Sequence, residues 1–133
     1  MQNFELTNKM LNMGGTFYPT GYVFAMFPSL EQAREVAKRL PAEHPDKPTL
    51  LLKAEDVQNH VARTLGAADT PLPSVGTEGA TVRVYAELAG KGHCALMIYA
   101  PDADDTEAVV EVLRTVPSSC ARKYRALVIE DLM

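Results

Sequence analysis

Two stretches of the chain share one order of apolar and polar positions. In residues 92–116, GHCALMIYAPDADDTEAVVEVLRTV, an apolar run at 95–100 lies between Gly92 and Pro101, the length and boundaries of a strand buried on both faces. Asp104 and Glu107 have capping-box spacing, and Asp102 and Asp105 add negative charge where the helix dipole favours it, so a helix is predicted to start near Asp104. Val109, Val112, Leu113 and Val116 fall at i, i+3, i+4 and i+7 along it, with Glu107, Glu111 and Arg114 off that stripe. Residues 22–27, YVFAMF, form a second apolar run, ended by Pro28. Ser29 and Gln32 repeat the cap spacing, and Leu30, Ala33, Val36, Ala37 and Leu40 make the buried stripe of a helix that Pro41 stops. Short strands are predicted at 50–52 and 126–129, each followed by an acidic pair, Glu55-Asp56 and Glu130-Asp131.

The pattern is a β-α-β unit occurring twice, at 20–57 and 91–133. Crossovers in such units are right-handed. The expected fold is therefore α+β and ferredoxin-like: two β-α-β units forming one four-stranded sheet, with two extra helices between the units. Residues 1–19 read as a mobile N-terminal arm and 20–133 as a single domain, with connecting helices and a loop at 54–90. Val57, Val61 and Leu65, with Gly66 just beyond, mark the first connecting helix. Residues 81–89, TVRVYAELA, are ambiguous. Alternation puts Val82, Val84, Ala86 and Leu88 on one strand face, whereas a helix would place Val82, Tyr85, Ala86 and Ala89 on one stripe.

Composition narrows the classes. A chain of 133 residues, 47% hydrophobic, is long enough to bury a core without staples. Its net charge of -4 disfavours non-specific binding to nucleic acid and to anionic membranes. Cys94 and Cys120 lie in or beside apolar segments with no secretory signal before them, the pattern of reduced thiols in a cytoplasm. No apolar run approaches the ~18 residues of a membrane span.

The residues Phe27-Pro28-Ser29, Ala33, Gly92, Asp105-Thr106-Glu107 and Glu130-Asp131 carry a resemblance to the bacterial general-stress-protein-like family of small ferredoxin-like domains, over roughly residues 20–133. The resemblance implies a helix ending at a glycine before the third strand, which favours the helical reading of 78–89. It brings no agreed chemistry with it.

Candidate chemistry is sparse. His44, His60, His93, Cys94 and Cys120 show neither C-x-x-C nor H-x-x-x-H spacing, so no metal or other cofactor is expected. His93 and Cys94 are strand neighbours and should face opposite ways, which argues against a nucleophile pair. No catalytic residue is assigned. Ser74, Gly76, Thr77 and Gly79 sit at a predicted helix start, where free N–H groups suit an anion, and suggest a small-molecule or anion sensor. Tyr22, Phe24 and Tyr99, with Arg122, Lys123 and Arg125, suggest a sheet that stacks RNA bases, against the sign of the net charge. Packing is the simpler role for these aromatics. Helices on one side leave the other face of such apolar strands bare, and a homodimer through that face is the first solution, with coverage by the two middle helices the second. The leading expectation is a non-enzymatic cytoplasmic dimerising module, stress-related by resemblance, ahead of the RNA-binding and sensor readings.

Overall fold

The computed structural model describes residues 1–11, 15–64, 76–126 and 128–133. In chain order the elements are β1 (Gln2–Asn3), a 3₁₀ turn (Asn8–Met10), β2 (Tyr22–Phe27), α1 (Leu30–Arg39), β3 (Leu50–Leu52), α2 (Ala54–Asp56), which runs on into a π-helical stretch (Val57–Val61), α3 (Gly76–Gly90), β4 (Cys94–Tyr99), α4 (Ala103–Leu113), β5 (Cys120–Tyr124) and β6 (Ile129–Asp131). The strands join one sheet in the order β1-β3-β4-β2-β5-β6. It is mixed, because β1 runs parallel to β3 while every other neighbouring pair is antiparallel.

This corrects the four-stranded ferredoxin-like sheet expected from the pseudo-repeat: the fold is α+β, but the sheet has six strands among the described residues. Two local causes account for the difference. Gln2 and Asn3 carry no strand signal of their own and become a strand by pairing with Leu50 and Leu51. The strand expected at 126–129 is instead β5 at Cys120–Tyr124, followed by β6 at Ile129–Asp131. The sequence of β5, CARKY, shows no alternation of apolar and polar positions, and two of its five side chains are basic.

The local signals for the two flanking helices act as their chemistry requires. Ser29 caps α1, its side chain accepting from the Gln32 N–H. Asp102, two residues before the expected cap, accepts from the Asp105 N–H at 2.8 Å and starts α4. Residues 81–89 are helical within α3, and Thr81, Val82, Tyr85 and Ala89 are its buried stripe.

Each face of the sheet has its own apolar layer. On one face Val23, Ala25, Phe27, Leu96 and Ile98 pack beneath Ala33 and Val36 of α1 and Val109 and Leu113 of α4. On the other, Phe24, Met26, Ala95, Met97 and Tyr124 pack beneath Val57, Val61, Val82, Tyr85 and Ala89. The face on which a sheet-face dimer was expected is therefore covered by the chain's own middle helices. Part of the stretch read as an arm joins the same layer: Met10, Phe17 and Tyr18 are buried there, with Phe4 and Leu6 packed against it.

Candidate functional site

The residues expected to form an RNA-stacking face are separated by the fold. Phe24 is fully buried and stacks on Tyr85, with ring centroids 4.1 Å apart and planes at 27°. Tyr22 and Tyr99 pair across β2 and β4 with centroids 5.3 Å apart; His44 meets Tyr99 edge-on and the Lys47 ammonium lies 4.6 Å from its ring centre. Arg122 pairs in register with Phe24 and so belongs to the α3 face, its Nε 3.8 Å from Asp131 Oδ1. Lys123 pairs with Val23 and belongs to the opposite face, and Arg125 is exposed and ion-paired with Glu130 at 3.1 Å. A continuous aromatic and basic platform does not exist here. Of the anion-loop residues, Ser74 lies outside the described residues, and Gly76, Thr77 and Gly79 form the first turn of α3.

His93 and Cys94 part as expected. The Cys94 thiol donates to the Phe27 and Ser29 carbonyl oxygens, and burial pushes its pKa up. His93 Nδ1 instead meets Ser119 Oγ at 2.7 Å, a contact between residues 26 positions apart that no local spacing announces. Among the described residues no third side chain is hydrogen-bonded to this pair, as a base-orienting group would be, and no group of three His, Cys, Asp or Glu side chains could hold a metal ion.

The distinctive site lies where β2 begins and β5 ends. Lys123 is 4% exposed, the one buried residue with a formally charged side chain among those described. Lysine is almost never buried without partners. Here alternation along β5 drives it inward: Ala121 and Lys123 share the face of Val23 and Ala25, while Cys120, Arg122 and Tyr124 take the other. Its ammonium end reaches the turn after β4, donating to the Ala100 carbonyl oxygen and, at 3.0 Å, to Thr106 Oγ1 in the first turn of α4. Thr106 donates in turn to Asp102 O at 2.9 Å. Burial and then the Arg125 charge push the Lys123 pKa down, against the pull of Asp102, Asp105 and Glu130.

A cleft of about 320 Å³ opens over this lysine, lined by Thr20, Gly21, Pro101, Lys123, Tyr124, Arg125 and Ala126. Gly21 holds its edge. At φ +88 it adopts a conformation that L side chains rarely take, and a Cβ there would stand 2.9 Å from the Tyr99 ring. Its N–H donates to Tyr124 O and its carbonyl accepts from Ala100 N–H, which ties β2, β4 and β5 together at the rim. The basic run at 122–125 signals this site only when read with strand alternation, since its charges alone suggest a solvated patch.

Comparison with known proteins finds no matching family model, no matching curated protein and no matching solved structure. No helix among the described residues is long and apolar enough to cross a membrane.

Proposed function

We propose that this chain is a non-enzymatic small-molecule-binding module, with the Lys123 cleft as its site. The observation that carries the reading is a buried lysine at the wall of an open cleft whose volume, about 320 Å³, falls at the lower end of the ~300–1,000 Å³ of small-molecule sites. A titratable group perturbed by burial and a named charge, in a cleft, is a functional candidate on physical grounds. Thr20, Lys123 and Arg125 are the residues with polar or charged side chains, besides Tyr124, among those that line the cleft. Both cysteines are free, which suits the reducing cytoplasmic setting inferred from their use. The sensor role expected at residues 74–79 moves to this cleft, and the stress-related role stays an inference from resemblance.

A thermal-shift screen of small metabolites tests it. A ligand at 100 times its Kd stabilises by about 2.7 kcal/mol, and Lys123→Met should abolish the response while the protein keeps its circular dichroism spectrum. A stabilising compound that acts equally well on folded Lys123→Met places the binding elsewhere and sinks the assignment.

A further inference from the structure

We propose that a second site, a cavity of about 60 Å³ beside Tyr99, takes a small zwitterion of the α-amino-acid class, of which glycine is the smallest. It shares no lining residue with the Lys123 cleft and stands apart from the reading above. Floor and mouth differ in kind. Thr49, Ile98 and Val109 line the cavity at 5, 5 and 3% exposure, whereas Glu43, His44, Lys47 and Asp105, which line it too, are exposed. The mouth is built by the turn at 44–47, closed by the Lys47 N–H donating to His44 O at 3.1 Å, together with Asp105 in the first turn of α4.

Charge defines the ligand. Lys47 is held in place, its ammonium 4.6 Å from the centre of the Tyr99 ring, which His44 meets edge-on with centroids 5.3 Å apart, and all three residues line the cavity. Among the described residues neither the Lys47 ammonium nor the Asp105 carboxylate has an ion-pair partner, and the two do not pair with each other. Asp105 lies in the field of Lys123, but Lys123 Nζ donates to Ala100 O and Thr106 Oγ1 instead. Glu43, the other carboxylate at the mouth, is paired with the Met1 amine at 2.6 Å. One cation and one anion thus border a common cavity without meeting. A simple anion would gain Lys47 but face Asp105, and a simple cation would gain Asp105 but face Lys47. A zwitterion answers both. Its carboxylate meets Lys47, its ammonium meets Asp105, and Thr49 supplies the hydroxyl of the floor. Volume sets the size: at about 30 Å³ of liquid volume per water, the cavity has room for a few heavy atoms and none for a long side chain.

Amide NMR on the intact chain tests this with glycine, acetate and methylammonium at matched ionic strength, the last two carrying one charged end each. Glycine should shift the Lys47, Thr49 and Asp105 amides saturably. Each half-probe should bind about tenfold more weakly or worse, the loss of one charge-assisted contact. Lys47→Met and Asp105→Asn should each weaken glycine by the same factor. Both side chains are exposed, and α4 keeps its cap on Asp102, so neither change threatens the fold. Leucine should bind more weakly than glycine, since its side chain has no room. No saturable shift with glycine overturns the site. Acetate or methylammonium binding as tightly as glycine reduces it to a single charge and overturns the zwitterion, as does glycine binding that survives both substitutions. Leucine binding as tightly as glycine overturns the limit on size.

Discussion

Tyr85 Oη and Tyr124 Oη lie 2.8 Å apart in the buried layer between α3 and β5. Their residues are 39 positions apart, and this is the polar contact that joins the long middle helix to the sheet. Both side chains are fully buried. Desolvation pushes both pKa values up, so each hydroxyl keeps its proton through the physiological range. Removing either hydroxyl alone leaves the other buried with its main partner gone, a cost of about 1–3 kcal/mol. Tyr85→Phe and Tyr124→Phe should each destabilise by that amount, and the double variant by clearly less than their sum. Urea unfolding of the four proteins measures the coupling; strictly additive losses would show that the hydroxyls do not depend on each other.

Phe17 should matter as much as any core residue of the regular elements. It is fully buried and meets Phe4, Phe24 and Tyr124 edge-on at centroid distances of 6.4, 5.5 and 6.1 Å. Its backbone N–H donates to Thr64 Oγ1 at 3.0 Å, which fastens the N-terminal stretch to the chain three residues beyond the π-helical segment. Phe17→Ala should therefore cost about 3–5 kcal/mol, measured as a lowered urea midpoint with an unchanged slope. A loss below 1 kcal/mol would mean that the stretch packs loosely and that the domain begins at β2.

The contrast between these residues and the two central strands shows what was legible in the chain. Strands β2 and β4, helix α1 and helix α4 could be read because period, cap and proline stop agree within about twenty residues of sequence. Phe17 could not be placed, since its neighbours supply no cap or period and its burial depends on Phe24 and Tyr124, far along the chain. Strand β5 was obscured by its own charges. Lys123 faces a helix layer and Arg122 the opposite one, an arrangement set by β2 pairing rather than by local preference. The same reason hid the candidate site: Lys123 becomes unusual only when Ala100 and Thr106 are brought over it. For α3 the alternating and helical patterns competed along 81–89, and the helix that the resemblance favoured is the one found, with Val82, Tyr85 and Ala89 buried as a stripe on the sheet.

Cys120 sets an alkaline limit on stability. Burial raises its thiol from the ordinary value of 9.0 to about 11, with Arg122 as the main opposing influence. A group whose folded pKa lies above its unfolded value contributes fully below the unfolded value and loses that contribution as pH rises through the folded one. For Cys120 the loss starts near pH 9 and amounts to about 2 kcal/mol by pH 11, from 1.36 kcal/mol per pKa unit. Tyr85 and Tyr124, also raised, add to it above pH 10. Urea unfolding at pH 8 and pH 11 should show the wild type losing more stability over that interval than Cys120→Ala does. The variant keeps the tyrosine share of the decline, so its curve should still fall, but later and less. Identical losses in the two proteins would assign the alkaline decline to the tyrosines alone and leave Cys120 no part in it.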